Sequence, residues 1–313
     1  MITKRTVLVL GAGSNECYGF PVGTELYRKV CLLWQQGVGI PGWSEPGKER
    51  VLRERLPRSG VYSVDEFLED NPHLIGVGKC AVAYALLPSE GNDLFNQRDL
   101  MWYQYLLAQI RGEHGSLEGN QLVIVTFNYD RSLEHYLFNA LCSRYGFSDE
   151  VAARELQRIP IIHVHGQLGY LPWQTQLPGF DEDLVVPYGG IAGVAPDETA
   201  ARVMRAAECV RIICEPDVER DERLASSRKH LQRAELVLFL GFGYHATNMR
   251  RLGFEGERVE HRQVCGTCLG MENPQRRRIH NMYGVDVHDT SDIYLERASI
   301  LEYLRKTGFL EQQ

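Results

Sequence analysis

Four short runs of aliphatic and β-branched residues, each ending in glycine or a polar side chain, constrain this chain more than any other feature. They are TVLVLGAG (6–13), QLVIVTFNYD (121–130), IPIIHVHG (159–166) and ELVLFLGFG (235–243). Their apolar residues are consecutive rather than alternating, which suits strands buried on both faces, as in a parallel sheet. Two weaker runs follow, RQVCGTCLG (262–270) and VDVHD (285–289). Helical periodicity fills the gaps. SLEHYLFNALCSRYG (132–146) places Leu133, Tyr136, Leu137, Ala140 and Leu141 on one face, and 201–214 and 298–308 behave similarly. Strand, polar crest, helix, strand predicts a doubly wound α/β architecture.

The first two strands are separated by about one hundred residues, far more than the dozen or so a parallel crossover needs. DEFLED (65–70), HLIGVGKCAVAYALL (73–87) and LMWYQYLLAQIRG (100–112) within that gap have helical character. The expectation is one Rossmann-like domain over 1–313, a parallel sheet flanked by helices. A helical insertion over 31–115 would sit between its first two core strands. Segment 37–60, rich in Gly, Pro and charge, reads as a loop, and 170–200 as irregular.

Composition narrows the function classes. Hydrophobic residues are 44% and charged residues 24%, which excludes disordered, collagenous and coiled-coil chains. The formal net charge is -7, so the chain is not built to coat nucleic acid or an anionic membrane. No apolar stretch approaches the roughly 20 residues that span a bilayer. The apolar run near the N-terminus meets glycines and reads as a retained strand rather than a signal peptide, which points to the cytoplasm. Eight cysteines are too few for a disulfide framework. Cys265 and Cys268 form a lone CxxC without a second pair, Cys209 and Cys214 being spaced C-x4-C, so they read as structural. Arg276, Arg277, Arg278 and His280 read as a solvated helix face, and the aromatics of LMWYQYLL as helical core.

Ligands of open parallel sheets bind at the carboxyl ends of the strands, so the polar strand exits carry the chemistry. The first strand ends in Gly11, Ala12 and Gly13, where backbone N–H groups can approach a pyrophosphate, although Glu16 replaces the third glycine of GxGxxG. The second ends in Asn128 and Asp130, and Asp130 can equally cap the helix that follows. The third ends in His163, His165 and Gly166, the histidines two apart and expected on one strand face. The fourth ends in Gly241, Gly243 and Tyr244, with Asn248 just beyond. Such side chains can orient water, hold ribose hydroxyls and move a proton.

In this order, GAGSNECYGFPVGTEL (11–26), TFNYDRSLE (126–134), HVHG (163–166) and GFGYHATN (241–248) resemble the sirtuin-like superfamily of NAD-consuming proteins. The similarity is greatest to the divergent bacterial sirtuin-like NADase domains of antiphage defence. The resemblance implies that Gly11, Ala12, Gly13 and the adjacent Ser14 line the pyrophosphate and that Asp130 holds the cofactor end of the pocket. It implies that Gly241, Gly243 and Asn248 contact the adenosine half. Asn128 would be the catalytic asparagine and His165 the catalytic histidine, with His163 in a supporting or core role. Deacylating sirtuins differ from this chain in having two zinc-binding CxxC pairs after H-G, a Pro-Asp-Phe-Arg where Pro21, Val22, Gly23 and Thr24 stand, and a serine where Asn15 stands.

The resemblance therefore implies an NAD+ glycohydrolase that releases nicotinamide and ADP-ribose, with NAD as substrate and no metal. It further implies a defence effector that depletes NAD when triggered, a homo-oligomer controlled by a regulatory protein encoded nearby. The alternatives are an NAD-dependent protein deacylase and a non-catalytic subunit that senses NAD or ADP-ribose.

Overall fold

The computed structural model describes residues 1–37, 39–95, 102–176, 181–212, 221–254, 262–268, 270–285 and 299–311. Five of the apolar runs form strands: β1 (Thr6–Leu10), β2 (Leu122–Thr126), β3 (Ile161–His163), β4 (Leu236–Leu240) and β5 (Gln263–Gly266). All neighbours pair in parallel, in the order β3-β2-β1-β4-β5. This is the Rossmann-like α/β fold predicted from the runs. Of the sixth run only Val285 lies within the described residues.

Consecutive apolar residues serve opposite faces because side chains alternate along a strand. Leu8 and Leu10 of β1, Ile124 of β2 and Leu238 of β4 share one core cluster, whereas Val7, Val9, Val125 and Phe239 share another. Each such fully buried side chain contributes about 1.5–3 kcal/mol relative to exposure. The first face is covered by α5 (Trp102–Ile110), α6 (Ser132–Tyr145), α7 (Asp149–Leu156) and α12 (Ile300–Thr307). The second is covered by α9 (Glu222–Arg233), α10 (Ala246–Arg251) and α11 (Asn273–Tyr283).

The remaining helices, α1 (Gly23–Leu32), α2 (Pro46–Arg55), α3 (Val64–Asp70), α4 (Ile75–Leu86) and α8 (Pro196–Cys209), build a third core away from the sheet. The long segment between β1 and β2 is therefore helical, and most of it shares its core with α8. Its last helix, α5, packs on the sheet instead, with Trp102 and Tyr103 fully buried.

Three details depart from the sequence reading. Segment 37–60 is not all loop, because Pro46 starts α2, where its missing N–H costs nothing, and Leu52 and Leu56 bury one side of the turn that follows. Arg276 does not share the solvated face of Arg277 and Arg278; it is buried on the side of α11 that also carries Ile279, three residues on. The helix expected over 201–214 begins at Pro196 and ends at Cys209, since Val210 leaves it to bridge Gly166. Among the described residues no helix is long and apolar enough to cross a membrane.

Candidate active site

Chain order runs outward from β1 to β2 and β3, then returns to β4 on the other side of β1. The exits of β1 and β4 thus face each other at the point where strand order reverses, the usual ligand crevice of such sheets. Here the two exits touch. Gly13 N–H donates to the Gly241 carbonyl at 3.0 Å, and Gly11 N–H donates to the Leu240 carbonyl at 3.0 Å. Gly241 has φ 59°, and a Cβ there would lie 2.1 Å from the Ser14 nitrogen. These glycines are required by backbone-to-backbone packing. The amides of Ser14 and Asn15 also donate within the loop, to Gly11 and Ala12. Four N–H groups of the glycine loop are thereby held by protein carbonyls. Downstream, Tyr244 is buried and left-handed at φ 53°, with its hydroxyl donating to the Thr267 carbonyl at 3.1 Å. A non-glycine residue held there stores roughly 1–3 kcal/mol of strain.

A buried polar network extends from the glycine loop to the exit of β2. Asn128 Nδ2 donates to Ser14 Oγ at 3.0 Å, and Ser14 Oγ donates to Asn15 Oδ1 at 3.1 Å. The Tyr103 hydroxyl donates to the same Asn15 oxygen at 2.7 Å, while Trp102 Nε1 donates to the Ser14 carbonyl at 2.8 Å. Asn15 Nδ2 reaches both oxygens of Asp130, at 2.7 and 2.8 Å. Asp130 also accepts from the Ser132 amide at 3.1 Å and from its hydroxyl, which fixes the first turn of α6. Burial raises the Asp130 pKa, against the lowering effect of these donors. Asp130 therefore serves the loop and the helix start, its carboxylate being turned to Asn15 and Ser132.

His163 and His165 differ completely. The strand stops at His163, so the rings do not share a strand face as their spacing suggested. His163 Nδ1 lies 2.9 Å from the Asn128 carbonyl, and Nε2 meets Glu134 of α6. Burial pulls the His163 pKa down, but Glu134, the Asn128 carbonyl and Asp130 together more than offset this and leave it raised. His165 turns toward the other face, edge-on to Phe127, with ring centroids 5.1 Å apart. Phe127 in turn packs edge-on against Phe242 beyond β4, also at 5.1 Å. The turn is forced by Gly166, with φ 71°, where a Cβ would lie 1.9 Å from the Cys209 carbonyl oxygen.

His165 is buried, and neither ring nitrogen has a hydrogen-bond partner among the described residues. Burial, helped by the charge of Arg251, lowers its pKa to about 3, so the imidazole is neutral at ordinary pH. Asn128 Oδ1 is likewise buried without a partner. An unmade hydrogen bond at a buried polar group costs about 1–3 kcal/mol, so such orphans in one region mark a place for a ligand or ordered water. Asn248 on α10 is half-buried, and its Oδ1 is a further unpartnered atom; Gly243 and Ala12 are exposed.

Ser14, Asn128, Gly11, Gly13 and Gly241 are thus drawn together, with His165 joined to them through Phe127. Sequence reasoning missed the supports: Asn15, Trp102, Tyr103, Glu134 and the Glu90–Arg131 pair. That pair is fully buried, with Arg131 also donating to the Gly169 carbonyl at 3.2 Å and to the Val186 carbonyl. Cys265 and Cys268 belong to the cores on opposite faces of the sheet. Cys214 lies outside the described residues. Among the described residues no group of three or more His, Cys, Asp or Glu is placed to hold a metal ion.

No protein-family model matches this chain, and no curated protein matches it either. The fold and the site define a Rossmann-like α/β protein in which Asn128, beyond β2, and His165, beyond β3, each carry buried polar atoms without a partner among the described residues.

Proposed function

We propose that the protein is an NAD+ glycohydrolase, with Asn128 and His165 at the nicotinamide ribose. The observation that carries this reading is the pair of buried, unsatisfied side chains at the strand exits, His165 and the Asn128 oxygen. A ribose offers the missing partners, since its hydroxyls both donate and accept. The neutral imidazole matches them with one N–H and one bare nitrogen.

In the reaction, the ribose–nicotinamide C–N bond breaks with both electrons leaving on nicotinamide. Water adds to the ribose carbon and gives up one proton. Nicotinamide leaves a cationic ring and needs no acid. The chain's own task is to hold the ribose and orient water. Asn128 is suited to this because Ser14 fixes its amide and leaves its oxygen free. A pKa of about 3 makes His165 a weak base, so it polarises a ribose hydroxyl more readily than it takes a proton outright. The glycine loop contributes shape more than free amides, given the bonds its N–H groups already make.

The weak basicity of His165 also favours a second reading, in which NAD or ADP-ribose is bound without turnover. Calorimetry with NAD and ADP-ribose, run with a nicotinamide-release assay, separates the two. Binding with release supports the hydrolase, and binding without release in every assembly state supports the sensor. No binding of either nucleotide removes both. The defence role, homo-oligomer and regulatory partner belong to this proposal through the sirtuin-like motifs alone, and the cytoplasmic setting through the reading of the N-terminal run as a strand.

A further inference from the structure

A cavity of about 560 Å³ lies along the outer edge of β3, and neither Asn128 nor His165 lines it. Its size falls within the usual 300–1,000 Å³ of small-molecule sites. Ile159, Pro160 and Ile161 give it an apolar wall, and Trp173 stacks on Phe138 at the same wall, with ring centroids 4.8 Å apart.

Two residues lining this cavity carry an unsatisfied hydrogen-bond donor. Arg223 Nη1 is buried without a partner, and so is Trp173 Nε1, among the described residues. The other charged groups lining the cavity do not neutralise the arginine. Glu134 is engaged by His163, whose pKa is raised, and Glu222 is exposed to solvent. Burial raises the Cys209 thiol, which stays neutral despite the nearby arginine. Arg223 is half-buried, a buried guanidinium nitrogen without an acceptor is unfavourable, and the planar fork matches an oxyanion.

We propose that this cavity is a second binding site, for a small molecule bearing a carboxylate or phosphate on a flat apolar body. Arg223 takes the anion, Trp173 Nε1 donates to it or to an adjacent acceptor, and the apolar wall receives the body. The site does not depend on the NAD reading, because it shares no orphaned atom with it.

Phenyl phosphate, phenylacetate and benzylamine test it on the full chain, by calorimetry and by quenching of tryptophan fluorescence. The expected result is saturable binding of one or both anions and none of benzylamine. Arg223→Gln should weaken binding by about tenfold to a hundredfold, the effect of one charge-assisted hydrogen bond. Arg223→Lys should lose less, and Trp173→Phe should remove most of the quenching. Melting temperature checks each variant's fold, and NAD binding should be unchanged in Arg223→Gln. Preference for phenyl phosphate over phenylacetate identifies the anion as phosphate, and the reverse as carboxylate. Absence of saturable anion binding overturns the proposal. So does equal binding by folded Arg223→Gln, or tighter binding of benzylamine.

Discussion

Two histidines separated by one residue stand in opposite environments. Around His163 both ring nitrogens are used: Glu134 and the Asn128 carbonyl hold the ring, and Asp130, Asn15, Ser14 and Tyr103 form a network beside it. Around His165 nothing is used, for both ring nitrogens are buried and bare among the described residues. The contrast separates scaffold from site. A satisfied buried network fixes geometry, whereas an orphaned buried group lowers stability and is retained where a ligand completes it.

The largest effect expected from breaking the satisfied region is at the Glu90–Arg131 pair. Glu90→Ala leaves a buried guanidinium without its carboxylate and should cost about 3–5 kcal/mol, read from the urea midpoint. A loss below about 1 kcal/mol would mean that Arg131 finds water or another acceptor. Next comes Gly241→Ala, which places a Cβ against Ser14 at a left-handed residue and should cost about 1–3 kcal/mol. It should also displace Ser14 from Asn128 and lower NAD binding. Unchanged stability and binding would show that the two exits separate freely.

Much of this contrast was illegible in the sequence. The strands and their faces could be read because consecutive Val, Ile and Leu residues leave few alternatives. The crest residues Asn128 and His165 could be read because polar side chains ending buried strands collect at one edge. The supports could not, since Tyr103 meets Asn15 across 88 residues of sequence, and Glu90 meets Arg131 across 41. The spacing of His163 and His165 suggested one face, and it misled because Gly166 ends the strand to clear Cys209. Helix α2 was hidden by Pro46 and a dense run of charges around its buried Leu52.

A further effect is on pH dependence, and the two histidines carry opposite signs. His165 has a pKa of about 3 in the folded chain against an ordinary 6.5. The unfolded chain takes up a proton as pH falls through 6.5, while folded His165 stays neutral until about 3, so stability is lost on acidification across that window. Folded His165→Gln should lose that dependence, its melting curve series being shallower by about one proton, or roughly 1.4 kcal/mol per pH unit. His163, with a raised value, contributes stability at low pH that is lost as pH rises through its folded pKa. His163→Gln should therefore flatten the alkaline side instead. Identical profiles for wild type and His165→Gln would show that the ring is not held neutral.

Nicotinamide release from NAD by His165→Ala, Asn128→Ala and His163→Ala, with melting temperature as the folding control, tests the separation of site from scaffold most directly. In the assembly that turns over NAD, the first two should fall by about 100- to 10,000-fold while remaining folded. His163→Ala should lose less turnover and more stability, because its ring supports Asn128 and Glu134. Near-wild-type turnover in folded His165→Ala and Asn128→Ala would contradict the account, whatever His163→Ala does.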